Sequence, residues 1–140
     1  MSDYLEEYPI ERNDIGNAGT IASLTKRELK KRGFSPQFIK RVTIGVYEAE
    51  INVVIHSYGG NARIHIGDDL CEITFCDRGP GIPNIENAMQ AGFSTASPYA
   101  IENGFGAGMG LPNIKAVSDE MTLESNEEGT QLFMKFYTQQ

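Results

Sequence analysis

At 140 residues and 15.4 kDa the chain has the size of one domain (residues 1–140), large enough to bury about two thirds of its unfolded surface without disulfide or metal staples. A formal net charge of −7 argues against non-specific binding to DNA, RNA or an anionic membrane and suits a partner with a basic face. The start, MSDYLEEYPIERND, has neither a positive n-region nor an apolar h-region, and no apolar run reaches membrane-span length, so a cytoplasmic protein is expected.

Residues 4–10 read as an edge strand, where Pro9 is tolerated because an edge position can spare its N–H. Residues 17–32 carry Ile21, Leu24 and Leu29 near helical spacing, a basic last turn and Gly33 as a stop, which predicts a first helix. Ser35 then suits an N-cap and Pro36 the first position of a second helix. Its segment 42–56 organises the chain. At about 100° per residue, Ile44, Ile51 and Ile55 form one side of an apolar arc and Val42, Val46, Ala49 and Val53 the other. Glu48 and Asn52 lie between them, one turn apart and pointing the same way, while Thr43, Tyr47 and Glu50 are expected on the outer face. An ionised carboxylate set into such an arc costs on the order of several kcal/mol unless it is compensated. Two readings fit: a buried acid satisfied by Asn52 and backbone, or a site cut into the core with Glu48 as a base and Asn52 as a neutral oxygen ligand.

Residues 62–67 and 70–77 read as a hairpin, with Cys71, Ile73, Phe75 and Asp77 on its core-facing side. Cys71 and Cys76 have opposite parity on that strand, so two reduced thiols are expected. His65 reads as an ordinary strand residue and His56 as a packed or capping one. Arg78-Gly79-Pro80-Gly81-Ile82-Pro83 is a turn-rich segment that ends the strand. A short helix is expected over 84–91, a helix over 111–118, and a closing hairpin from strands 121–125 and 131–137. The stretch 92–110 is long, small and polar, which suits a functional lid or a disordered linker.

Gly104, Gly106, Gly108 and Gly110 alternate directly before a helix, so backbone N–H groups and the helix N-terminus can face a phosphate. The spacing matches neither a P-loop nor the dinucleotide-binding fingerprint, and a flexible hinge is the plainer reading of that run. Asp77, at a strand end on the helix side, can accept a hydrogen bond from the exocyclic amine of adenine, with Gly79 and Gly81 letting the base approach the backbone. Guanine would oppose two acceptors at a cost of about 1 to 3 kcal/mol.

Taken together, Glu48-x-x-x-Asn52, Asp77-x-Gly79-x-Gly81-Ile82, the lid ending in Gly106-Ala107-Gly108-Met109-Gly110-Leu111, and Gly129-Thr130 resemble the four ordered boxes of the Bergerat-fold (GHKL) ATPases. These include DNA gyrase, heat-shock chaperones, histidine kinases and anti-sigma-factor kinases. The short chain resembles the stand-alone anti-sigma-factor serine/threonine kinases, and Gly92-Phe93-Ser94-Thr95 with Gly79-Pro80-Gly81-Ile82-Pro83 is similar to the stress-signalling switch kinases. The resemblance implies an α+β two-layer sandwich whose mixed, largely antiparallel sheet carries helices on one face. It implies that Glu48 is the general base, that Asn52 ligates Mg²⁺ arriving with ATP, and that Asp77 and Thr130 meet adenine. It assigns Gly79, Gly81, Ile82, Ser94, Thr95, Gly106, Gly108, Gly110 and Leu111 to nucleotide binding, the Gly106 to Gly110 amides at the phosphates. The implied activity is phosphorylation of a small anti-sigma-factor-antagonist-like protein, and a homodimer is compatible with it. The lid carries no Lys or Arg, which favours the rival reading of a nucleotide-gated module that captures a sigma factor or another regulator without phosphoryl transfer.

Overall fold

The computed structural model describes residues 2–79, 89 and 110–138. Strand β1 (Tyr4–Ile10) leads through a 3-10 turn (Ile15–Asn17) into helices α1 (Thr20–Lys31) and α2 (Pro36–His56). Strands β2 (Gly60–Ile66) and β3 (Leu70–Arg78) follow, then helix α3 (Gly110–Val117) and strands β4 (Glu120–Asn126) and β5 (Gly129–Tyr137). The strands form one sheet in the order β1-β2-β3-β5-β4. Every pairing is antiparallel, so the described sheet is not mixed. The predicted helix at 84–91 falls outside the described residues, as does the lid except for Gly110.

Strand parity decides the two faces. On β3, Cys71, Ile73 and Phe75 are buried and their even-numbered neighbours are half-exposed, so one sheet face meets the helices and the other meets solvent. Cys71 and Cys76 accordingly lie on opposite faces, and burial pushes the Cys71 thiol up to about 12. Ile64, Ile66, Met134 and Phe136 complete the inner face against Leu29, Val42, Val46 and Ile114 of the helices. Full burial of such a side chain contributes about 1.5–3 kcal/mol before the entropy of ordering it is subtracted. Gly45 lets α2 lie close to β5: a Cβ there would stand 2.8 Å from Phe136 Cζ.

The helix boundaries follow local chemistry. Ser35 Oγ accepts from Phe38 N–H at 3.2 Å with Pro36 in the first turn, as the sequence predicts. The first helix starts at Thr20 rather than at residue 17, because Asn17 is taken up by the 3-10 turn and Gly19 enters with φ 97°. Arg41 then locks three elements together, donating to Val117 O (3.1 Å), Tyr137 O (3.3 Å) and Asp119 Oδ2 (2.6 Å). The C-terminal end of α3 is thereby tied to α2 and β5.

Candidate functional site

Helix α2 carries Glu48 and Asn52 one turn apart, both half-buried, toward the N-terminal end of α3. A Cβ on Gly110 would lie 3.0 Å from Asn52 Oδ1 and 3.2 Å from its Nδ2, a tight contact, so the glycine eases the close approach of the α3 backbone to the amide. One turn further, Asn113 Nδ2 approaches Glu48 Oε1 at 3.5 Å, at the outer limit of a hydrogen bond. Leu111 and Ile114 are buried and anchor α3 to the core, fixing these approaches. Glu48 is thus not the buried acid satisfied by Asn52 and backbone of the first sequence reading: it is half-buried, and among the described residues only Asn113 approaches its carboxylate.

Asp77 sits at the helix-side end of β3, opposite Gly60 of β2 and Thr130 of β5. Its Oδ1 accepts from Thr130 N–H at 3.0 Å, while Oδ2 has no partner among the described residues. Burial raises the Asp77 pKa, and the Thr130 N–H opposes that rise by favouring the charged form. The flanking glycines are steric necessities, since a Cβ on Gly60 or on Gly129 would lie 2.0 Å from the Cys76 or Asp77 carbonyl oxygen. The Thr130 hydroxyl pairs with Ser125 Oγ at 2.7 Å, and Gly79 N–H closes the turn onto Glu128 O at 2.6 Å.

The structure thus brings Glu48, Asn52, Gly110 and Leu111 together at one helix–helix contact, and Asp77, Gly79 and Thr130 at one strand end. Gly81, Ile82, Ser94, Thr95, Gly106 and Gly108 lie outside the described residues. Sequence reasoning missed Asn113, Ser125 and Gly60, and it misplaced Glu50. Expected on the outer face, Glu50 is only 3% exposed; its two oxygens accept from Ile21 N–H (3.2 Å) and Ala22 N–H (3.1 Å). Helix α1 begins at a glycine with no side-chain cap, and Glu50 takes that role from the neighbouring helix. Burial raises its pKa and these amides pull it back down.

Among the described residues no group of three or more His, Cys, Asp or Glu is placed to hold a metal, and no helix is long and apolar enough to cross a membrane. A lone amide oxygen beside a helix N-terminus fits a cation that arrives with its own phosphate ligands.

Residues 12–136 match the histidine kinase-like ATPase domain family. The chain is 34% identical to the serine/threonine-protein kinase RsbT of Bacillus subtilis over 78% of this chain and 80% of that protein. It is 30% identical to the serine-protein kinase RsbW of Oceanobacillus iheyensis over 96% of this chain and 87% of that protein. An anti-sigma F factor from a Geobacillus species is 32% identical over 66% of this chain and 64% of its own length. Among solved structures, the RsbU and RsbW domains of a Mycobacterium tuberculosis protein superpose with a TM-score of 0.66 at 16% identity, over 96% of this chain and 32% of that one. The catalytic domain of histidine kinase ThkA superposes with a TM-score of 0.51 at 15% identity over 96% of both chains, which speaks to the fold. The chain belongs to the histidine kinase-like ATPase domain family, in the branch of the anti-sigma-factor-type serine/threonine protein kinases.

Proposed function

We propose that the single domain transfers the γ-phosphoryl group of ATP to a serine or threonine of a small anti-sigma-factor-antagonist-like protein, with Glu48 as the general base. The observation that carries this reading is the packing of Glu48 and Asn52 against the first turn of α3, where Gly110 and Asn113 meet them. Glu48 takes the proton of the acceptor hydroxyl, the acceptor oxygen bonds to the γ-phosphorus, and the bridge to the β-phosphate breaks to leave ADP. The backbone N–H groups of Gly110 and Leu111 at the start of α3 meet the phosphates and stabilise the developing charge. Asn52 would hold Mg²⁺, which when bound neutralises charge on the phosphates. Oδ2 of Asp77, which has no partner among the described residues, accepts from the exocyclic amine of adenine, and the Thr130 N–H fixes the carboxylate for that contact.

The test is transfer from γ-labelled Mg-ATP into purified antagonist-like proteins of the host, comparing the chain with its Glu48→Gln variant. Glu48→Gln is expected to lower transfer by about 10²- to 10⁴-fold with ATP affinity retained. Transfer that survives the substitution removes the base assignment. ATP binding with no transfer by the unaltered chain replaces the kinase with a nucleotide-gated capture module.

A further inference from the structure

The net charge alone suits a basic partner, but its distribution does not. Seven of the chain's 12 lysines and arginines fall between Lys26 and Arg41, where the single acid is Glu28. Arg32 is spent on Glu28 at 3.0 Å and Arg41 on Asp119 at 2.6 Å. Lys26, Arg27, Lys30, Lys31 and Lys40 are exposed and form no ion pair with a described residue. They crowd one end of the helical layer, because α1 and α2 form a hairpin whose short turn joins the basic end of one helix to the start of the other.

An open groove of about 720 Å³ runs between the two helices along the N-terminal half of α1, with Lys26 at its basic end. Ser23 and Lys26 line it from α1, and Thr43, Ile44, Tyr47 and Glu48 from α2. Ser23, Lys26 and Lys30 recur at three and four residues, as do Lys40, Thr43 and Tyr47, so α1 carries two lysines and α2 one lysine on a stripe with groove residues. Thr43 Oγ1 is buried in the wall with no hydrogen-bond partner among the described residues. The groove thus connects Lys26, one of the exposed cations, with the proposed base.

We propose that this surface docks an acidic face of the acceptor protein, its carboxylates on the lysine stripes and its hydroxyl-bearing segment in the groove leading to Glu48. The groove's end point rests on the kinase reading; the charge complementarity does not. Eighteen of the 19 acids lie outside residues 26–41, so an acidic partner is repelled from the rest of the molecule and attracted at one end. Charge therefore sets the orientation as well as the rate of encounter. The same surplus of acids disfavours nucleic acid or a lipid surface, whose negative charge extends well past a single patch.

A fluorescein-labelled oligoglutamate peptide, titrated with the full chain at low salt, tests the surface without knowledge of the acceptor. The Lys26→Glu/Lys30→Glu variant is expected to lose about tenfold or more in affinity, and added salt is expected to narrow the gap. Arg63→Glu, on the opposite face of the sheet, is expected to bind as the unaltered chain does. With purified antagonist-like acceptors the double variant raises KM by a similar factor, with a smaller effect on kcat. Unchanged peptide affinity, an equal loss in Arg63→Glu, or tighter binding to anionic lipid vesicles or RNA than to the peptide overturns the proposal. ATP binding without labelling of any acceptor defeats the kinase reading, and the peptide titration still decides the docking surface.

Discussion

The two flanks of α2 hold their acids by opposite means. On one flank Glu50 is sealed under α1, with both oxygens taken by backbone N–H groups of a helix N-terminus. On the other, Glu48 receives, among the described residues, only the long 3.5 Å approach of Asn113. Two residues along a helix are a rotation of about 200°, enough to move a carboxylate from a structural cap to an under-satisfied position beside a groove. A carboxylate whose lone pairs are committed to fixed donors is a poor proton acceptor. The flank left under-satisfied is the one on which chemistry can occur.

The largest expected effect separates the flanks by activity. Glu48→Gln lowers transfer by orders of magnitude while leaving the urea midpoint nearly unchanged, because no strong hydrogen bond to a described residue is lost. Asp77 lies between the two cases, with one oxygen held by Thr130 N–H and one without a partner among the described residues. Asp77→Asn keeps an acceptor for Thr130 but would lose the charge-assisted bond proposed to adenine. ATP affinity should fall by about 1.5–3 kcal/mol, roughly ten- to 150-fold, in a calorimetric titration. Unchanged affinity would reduce Asp77 to a strand-end cap like Glu50. Glu50→Ala should act on folding: orphaning the first amides of α1 costs about 1–3 kcal/mol in urea denaturation, with ATP affinity retained wherever the variant is folded. A Glu50→Ala protein of full stability that binds no ATP would erase the distinction between the flanks.

Much of this site was legible in the sequence, and the failures have physical causes. The spacing of Glu48 and Asn52 fixes their common direction, and strand parity fixes the side of the sheet on which Asp77 emerges. Both are local consequences of backbone geometry. Glu50 was misread because a single apolar arc assumes one neighbour, whereas α2 is packed by the sheet, α1 and α3. The missed signals were the stripe Val46-Glu50-Val54 at four-residue spacing and the start of α1 at Gly19, which offers no side-chain cap. Asn113 could not be found from spacing alone, since its approach to Glu48 depends on how α3 crosses α2. Gly60 reads in the sequence as part of the Tyr58-Gly59-Gly60-Asn61 helix stop; its steric requirement comes instead from the Cys76 carbonyl on the adjacent strand.

The smallest expected effect compares the molecule's two histidines, again one inside and one outside. Burial lowers the pKa of His56, at the end of α2, below 6.5. Its neutral form therefore contributes stability that is complete above pH 6.5 and is lost as pH falls through the folded pKa, because the unfolded chain takes the proton first. His65, on the solvent face of the sheet, has its pKa raised above 6.5, chiefly by its hydrogen bond to Asp3 at 2.9 Å, with Glu72 at 3.2 Å adding to it. Its contribution runs the other way: complete below pH 6.5 and lost as pH rises through the folded pKa. The raised pKa values of Asp77 and Glu50 favour the folded state as pH falls, opposing His56 on the acid side, so each histidine is read as a difference from its own variant. In urea midpoints measured across pH 5 to 8, about the range in which histidine titrates, His56→Gln should flatten the acid arm and His65→Gln the alkaline arm. The His65 effect should be the smaller, because solvent screens its exposed ion pairs. A midpoint that falls with rising pH in the unaltered chain and stops doing so in His56→Gln would reverse the sign assigned to burial at the end of α2.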